Sequence, residues 1–132
     1  AMLRQGRGGA IVVNGSMSGV TGVGSMLPYS TRKHAAVGMA KSLAVAWGSH
    51  GIRVNYLGPG ATRTPMLDRA ASDVAEFRGA HPGAGMPSKM QAPLGRSLTA
   101  EEQAEVACFL LSDASSAMTG AVVLADGGLA AY

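Results

Sequence analysis

Three side chains early in the chain have the types and spacing needed to move a proton to or from an oxygen atom. Ser16 is followed thirteen residues later by Tyr29, and Lys33 lies four residues beyond Tyr29. If Tyr29 and Lys33 share a helix, their side chains lie one turn apart on the same face. A phenol is a weak acid at neutral pH, and a neighbouring ammonium group stabilises its anion. This arrangement predicts oxidation of an alcohol or reduction of a carbonyl.

The apolar run 10–14, which is rich in β-branched residues, predicts a strand buried on both faces of a parallel sheet, and residues 52–57 predict the next strand. Ser16 then lies just beyond the carboxyl end of the first strand, and Pro59 and Gly60 lie at the end of the second. Open α/β sheets bind their ligands at this edge. The sequence therefore predicts that these residues share one site.

Helices are predicted between and after these strands. Pro28 suits the first position of a helix over residues 29–50, and Gly51 suits its end. Thr99 and Glu102 have the spacing of a capping box, which predicts a second helix that leads to a last strand at 121–125. The alternation of strands and helices indicates an α/β fold.

Three motifs together resemble the short-chain dehydrogenase/reductase family. They are Asn14-Gly15-Ser16-Met17-Ser18-Gly19, then Tyr29-Ser30-Thr31-Arg32-Lys33, then Asn55 through Pro59-Gly60-Ala61-Thr62-Arg63-Thr64. The resemblance extends to Asp126-Gly127-Gly128, so it covers nearly the whole chain. It implies a doubly wound, Rossmann-like α/β fold and an oxidoreductase that uses NAD or NADP.

The same resemblance implies a role for each site residue. Tyr29 exchanges the proton with the substrate, Ser16 orients the substrate oxygen, and Lys33 assists Tyr29 and holds the nicotinamide ribose, so that Tyr29 and Lys33 also contact the cofactor. The remaining cofactor-binding positions that it implies are Pro59, Gly60, Thr62 and Thr64.

The family's glycine-rich phosphate-binding turn has no counterpart in this sequence. Gly19, Gly22 and Gly24 are spaced differently and lie between the predicted catalytic serine and tyrosine. We therefore expect the chain to be the C-terminal half of such an enzyme, with the glycine-rich N-terminal half absent. Residues 1–132 would form one partial Rossmann domain, in which residues 65–95 are the substrate-loop region. The choice between NAD and NADP would depend on the missing half.

Composition argues against several other classes of protein. The net charge of +3 comes without any run of Lys or Arg, so no nucleic-acid partner is expected. No apolar stretch reaches membrane-spanning length, and the three histidines lie outside metal-ligand spacing. We expect a cytoplasmic protein without a metal or a membrane partner. The single cysteine, Cys108, is expected to pack in the core.

Two functional hypotheses remain open at this level. The first is the enzyme, acting on a small alcohol or carbonyl compound. The helix predicted at 29–50 carries mostly small apolar residues, and in the family it packs against its copy in another subunit, which implies a homo-oligomer (dimer or tetramer). The alternative is a non-catalytic remnant that acts only in oligomerisation or partner binding, because half of a parallel sheet exposes a strand edge.

Overall fold

A computed structural model describes residues 1–23, 26–65, 69 and 92–131 of the chain. Three strands form one parallel sheet in the order β1-β2-β3. Parallel neighbours need a crossover connection, and a helix precedes both β2 and β3. The elements are α1 (Met2–Gln5), β1 (Gly9–Asn14), α2 (Leu27–Trp47), β2 (Ile52–Pro59), α3 (Ala100–Leu111) and β3 (Val122–Ala125), with 3-10 turns at Met17–Gly19, Gly48–His50 and Asp113–Ser115. The predicted α/β class with a parallel sheet is confirmed.

The central strand β2 fixes the alignment of the whole sheet. Asn14 at the end of β1 pairs with Leu57, and Leu57 pairs on its other side with Val123. All three strands run in the same direction, so their carboxyl ends meet at one edge. The segment after β1 and the segment after β2 therefore emerge side by side, as the sequence predicted.

Each face of the sheet is covered by a different helix. Val13 of β1 and its partner Tyr56 of β2 belong to a core shared with Ala40 and Ala44 of α2. Residues that alternate with these, such as Arg53, point to the opposite face and reach the end of α3. Cover on both faces fits the apolar run of β1, whereas β2 alternates its core residues with Arg53 and Asn55 on the α3 side.

Helix α2 packs closely because its buried positions are small. Ala40 is fully buried and Ala44 nearly so, and the ring of Trp47 packs against the same core. The helix begins at Leu27, so Pro28 is its second residue. The sequence predicted Pro28 at the first position. It ends at Trp47, and the 3-10 turn Gly48–His50 completes the predicted span before Gly51, whose φ of 69° stops it.

Two polar side chains of β2 tie the second crossover to the sheet. The Asn55 amide donates to the Met118 carbonyl at 2.8 Å and accepts from the Ala121 N–H at 3.0 Å. The Arg53 guanidinium donates to the Leu110 and Ser115 carbonyls at 3.0 Å each. The bond to Leu110 satisfies a carbonyl in the last turn of α3, and the others hold the segment between α3 and β3. They thereby set where β3 begins.

The prediction that Cys108 of α3 packs in the core is wrong. Cys108 is exposed, and it does not pack in the core. Leu110 is fully buried, whereas the adjacent Leu111 is 50% exposed. Cys108 lies two residues from both Val106 and Leu110, and residues two apart lie on nearly opposite sides of a helix. The face that includes Leu110 meets the sheet, which turns Cys108 to the outside.

The start of α3 is built as predicted. The Thr99 hydroxyl accepts from the Glu102 N–H at 3.2 Å, and the Glu102 carboxylate accepts from the Thr99 N–H at 2.8 Å. Arg96 adds an ion pair to the same carboxylate.

None of the described helices combines the length and the apolar character needed to cross a bilayer.

We predict that Glu102 contributes a pH-dependent part of the stability. Hydrogen bonds from Arg96 and then from the Thr99 N–H lower the pKa of Glu102 to about 2. A carboxyl whose pKa is lowered by folding stabilises the fold above its unfolded pKa of about 4.3 and loses this effect as the pH falls towards 2. Glu102→Gln keeps the capping geometry and removes the charge. The difference in free energy of unfolding between wild type and Glu102→Gln should therefore shrink between pH 5 and pH 2.

Urea unfolding across this pH range measures the difference. Glu105→Gln is the matched control, because Glu105 is exposed on the same helix and lies outside the capping box. A constant difference between wild type and Glu102→Gln at every pH would contradict the assignment. Because the pair with Arg96 is on the surface, added salt should also reduce the difference.

Candidate active site

A cleft of about 960 Å³ opens at the carboxyl edge of the sheet. The segment after β1, the start of α2 and the segment after β2 form its walls at one end, and α3 lines the other. Six of the seven site residues predicted from the sequence line it: Ser16, Tyr29, Pro59, Gly60, Thr62 and Thr64. The seventh, Lys33, does not line the cleft, but its ammonium donates to the carbonyl of Gly15, which does.

Ser16 lies two residues beyond the end of β1 and is held in a fixed conformation. It is 8% exposed, its backbone is extended, and it caps the 3-10 turn Met17–Gly19. Its hydroxyl oxygen accepts a hydrogen bond from the Ser18 N–H at 3.2 Å. This leaves the Ser16 O–H free to donate to a ligand in the cleft.

Tyr29 and Lys33 lie in the first two turns of α2, one turn apart, as the sequence predicted. Tyr29 is partly buried and its ring lines the cleft. The Lys33 ammonium lies 5.4 Å from the centre of that ring and donates to the Gly15 carbonyl at 3.1 Å. A bond from α2 to the segment after β1 therefore places the positive charge beside Tyr29.

The segment after β2 passes close to the segment after β3. The Gly60 N–H donates to the Ala125 carbonyl at 3.0 Å, and a Cβ atom at Gly60 would lie 2.6 Å from the Asp126 Cα. Only glycine fits this approach. The Thr62 region then pairs with Leu98 in a short parallel bridge, and the Thr62 hydroxyl donates to the Gly60 carbonyl at 3.2 Å.

Sequence reasoning missed one residue that touches the site, Tyr56. It is fully buried in the middle of β2, and its hydroxyl donates to the Ser16 carbonyl at 2.7 Å and accepts from the Ser16 N–H at 2.8 Å. Burial raises the pKa of Tyr56, although the bond to Ser16 opposes this effect. The only signal in the sequence is Gly15, where a Cβ would lie 2.1 Å from the Tyr56 ring.

Some sequence predictions fall on residues that are not described. Gly24, His81 and most of the predicted substrate-loop region 65–95, namely 66–68 and 70–91, lie outside the described residues. Among the described residues, no three His, Cys, Asp or Glu side chains are grouped so that they could hold a metal ion.

A family model and a curated relative each match almost the whole chain. A family model described as enoyl-(acyl carrier protein) reductase matches residues 1–130. The chain is 44% identical over 133 residues to 2,5-dichloro-2,5-cyclohexadiene-1,4-diol dehydrogenase of Sphingobium indicum, which covers 99% of this chain and 50% of that protein.

Solved structures agree with the sequence comparison. Levodione reductase superposes with a TM-score of 0.83 at 37% identity, over 99% of this chain and 50% of its own. A protein from Agrobacterium tumefaciens, assigned as a 2-deoxy-d-gluconate 3-dehydrogenase and solved with bound NADP, gives 0.81 at 30% identity, over 99% and 50%. The chain thus spans about half the length of the relatives it matches.

We predict that Gly60→Ala destabilises the fold by about 1–3 kcal/mol, because its methyl group would have to displace the backbone at Asp126. Gly48→Ala is the control, since Gly48 has helical backbone angles and open space around it. It should change stability by no more than about 1 kcal/mol, in the stabilising direction. Urea unfolding of both variants tests this, and equal stabilities would show that the Gly60 contact does not constrain the fold.

Proposed function

The chain belongs to the short-chain dehydrogenase/reductase family, and on that premise we propose that the intact protein interconverts an alcohol and a carbonyl with NAD or NADP as cofactor. The observation that carries the proposal is the meeting of Ser16 and Tyr29 on one cleft, with the Lys33 ammonium against the Tyr29 ring. We further propose that residues 1–132 are part of one Rossmann-like domain.

Tyr29 is the proton donor and acceptor in this proposal. Its hydroxyl gives a proton to the substrate oxygen during reduction and takes it back during oxidation. Lys33 places a positive charge beside the ring, where it stabilises the negative charge that develops as the proton leaves. The bond from Lys33 to the Gly15 carbonyl holds that charge in position.

Ser16 orients and polarises the substrate oxygen. Its hydroxyl is preorganised, because the Ser18 N–H occupies one of its acceptor sites and the backbone is held by Tyr56. A donor fixed in this way loses little freedom when the substrate arrives, so that its hydrogen bond is available to the transition state.

The cleft suits the nicotinamide end of the cofactor. Apolar side chains such as Val12 and Leu57 form much of its wall, and Thr62 and Thr64 add polar groups at the end of β2. A flat ring with one amide group fits such a surface. The cofactor supplies the hydride, and a related structure of the same family was solved with NADP. Pro59, Gly60, Thr62 and Thr64 would border the ring, with Tyr29 and Lys33 towards the ribose.

The substrate is proposed to be a small alcohol or carbonyl compound. The relatives compared above include both a dehydrogenase of a cyclic diol and a reductase of a dione, as their names state. We propose that the region 65–95 contributes to substrate recognition. Within the described part of the cleft, Met17, Val23 and Met26 provide an apolar surface on the Tyr29 side.

One surface favours self-association. Helix α2 presents a stripe of small and apolar residues away from the sheet, in which Met39 is 49% and Val45 86% exposed. The exposed positions recur every three or four residues, as in helices that pack on a partner. The small and apolar residues among them, which form the stripe, are Ala35, Gly38, Met39, Ser42, Val45 and Ala46. We propose a homo-oligomer, dimer or tetramer, through this stripe.

The stripe also supports the alternative function, a protein that only oligomerises or binds a partner. Within the described residues, β1 pairs with β2 alone, so its other edge offers free backbone groups. The two functions differ in one respect: only the enzyme needs to bind the cofactor.

We predict that Tyr29→Phe in the intact protein, as encoded by its gene, lowers kcat by at least about 100-fold, because the proton donor is lost. The fold should persist, since the ring remains. The assay follows NAD(P)H absorbance with a panel of small ketones and secondary alcohols. Thr31→Val is the control. Like Tyr29→Phe it removes one hydroxyl from α2, but Thr31 is exposed and its hydroxyl bonds to the Leu27 carbonyl. Undiminished turnover in Tyr29→Phe would overturn the assignment.

Cofactor binding separates the enzyme from the alternative. Titration of the intact protein with NADH and with NADPH should give a saturable change in tryptophan fluorescence, to which Trp47, the one tryptophan of residues 1–132, contributes. The same titration also decides between the two cofactors. A folded protein that sediments as an oligomer but binds neither cofactor would support the alternative.

A further inference from the structure

A single side chain from the centre of the sheet bonds to both backbone polar groups of Ser16, whose carbonyl also accepts from the Gly19 N–H at 2.9 Å. The Tyr56 hydroxyl donates to the Ser16 carbonyl at 2.7 Å and accepts from the Ser16 N–H at 2.8 Å. Both residues are buried, and the two lie 40 positions apart in the chain. Buried backbone groups need such partners, and the Ser16 N–H finds its partner in a side chain and not in a strand.

The conformation of Ser16 explains how one hydroxyl can serve both groups. Its φ of −168° and ψ of 155° are extended, so that its N–H and C=O point to the same side. Any large rotation about either angle would move one group away from the Tyr56 oxygen. The two bonds therefore fix the backbone of Ser16, and with it the direction in which the Cβ and the hydroxyl leave the chain.

The neighbouring residues are shaped to admit the Tyr56 ring. A Cβ at Gly15 would lie 2.1 Å from the ring, and one at Gly19 would lie 2.4 Å from its hydroxyl oxygen. Both contacts are far below van der Waals distance, so the glycines on either side of Ser16 make the space that Tyr56 fills. The ring itself is anchored in the core under α2, among Ala40, Ala44 and Val54.

We propose that Tyr56 is a positioning residue for the reaction, which acts through Ser16 by locking the serine backbone so that its hydroxyl points at the substrate oxygen. The inference rests on the proposed function, since it gives Ser16 a role in turnover. It goes beyond that function by assigning a part in it to a buried residue that acts on the cleft only through the backbone of Ser16.

The bridge also persists through the proton transfer. Burial raises the pKa of Tyr56, and negative charge on Tyr29 raises it further, while the bond to Ser16 opposes both effects. The net effect raises the pKa of Tyr56 above the ordinary value for tyrosine, so its hydroxyl keeps its proton at neutral pH. It continues to donate to the Ser16 carbonyl at the stage when the serine must hold the substrate.

The first test needs no activity. Hydrogen–deuterium exchange in the intact wild-type protein should show a protected Ser16 amide, although this residue lies outside the strands. Tyr56→Phe, which keeps the ring, should raise the exchange rate of that amide by about tenfold or more. Free exchange of the Ser16 amide in the wild type would overturn the proposal, whatever reaction the protein catalyses.

The second test is a double-mutant cycle on turnover, using Ser16→Ala, Tyr56→Phe and the double variant. Tyr56→Phe should lower kcat by about 10- to 100-fold and change the KM for the cofactor by less than about twofold. In the Ser16→Ala background the same change should cost less than about twofold, because the group that Tyr56 positions is already gone. Equal losses in the two backgrounds would mean a merely structural role and overturn the proposal.

The two failures can be told apart. If Ser16→Ala itself leaves kcat unchanged, the proposed role of the serine fails, and the positioning role fails with it, while protected exchange would still establish the Tyr56 contact. If Tyr56→Phe does not fold, Tyr56→Met is the second variant, since it also removes the hydroxyl and leaves a flexible apolar side chain to fill the core. It should give the same loss of kcat, again only when Ser16 is present, and a loss in both backgrounds would overturn the proposal.

Discussion

Parallel pairing on both sides of β2 is the constraint on which the rest of the structure depends. It aligns the ends of β1 and β3 with the end of β2, so that Ser16, Gly60 and Asp126 emerge at one edge. Parallel strands also require crossovers that cover the faces of the sheet. Helix α2 covers one face and carries Tyr29 and Lys33 at its amino end. The site is therefore a consequence of the sheet's direction and not of contacts between neighbouring residues.

Much of the site is held by backbone groups. Lys33 is fixed by the Gly15 carbonyl, Gly60 by the Ala125 carbonyl, and Ser16 by the Tyr56 hydroxyl. Such bonds need the chain segments to approach closely, and this explains the glycines at 15 and 60, where a Cβ would collide with a ring or with backbone. A site built in this way is rigid before a ligand binds, which is the condition for preorganised catalysis.

The same strand serves the core and the site. Val54 and Tyr56 pack beneath α2, and Tyr56 alone extends from this apolar layer to a polar contact at the cleft. A tyrosine suits this position because its ring is apolar and its end can donate and accept. Packing in the core is thereby linked to the orientation of a side chain in the cleft, without any element that has to move.

The chain contains the serine, tyrosine and lysine of the proposed reaction while spanning about half the length of its relatives. The cleft extends from these residues to Gln103, Ala104 and Ala107 on α3. This part of the cleft lies on the other face of the sheet from α2. The volume of the whole cleft, about 960 Å³, and its mostly apolar walls suit a ligand larger than a small substrate alone.

The sequence by itself determined the elements and their order, because local patterns carry that information. The apolar run 10–14 predicted β1, residues 52–57 predicted β2, and Thr99 and Glu102 predicted the start of α3. The spacing of Ser16, Tyr29 and Lys33 predicted a shared site at the sheet edge. These signals depend on the period of each element and on residues that start or stop it. Only the tertiary structure decided which face of a helix meets the sheet and which distant groups touch. It turned Cys108 outwards, and it brought Tyr56 to Ser16 across 40 residues, because burial and contact depend on how elements pack and not on any one stretch of chain.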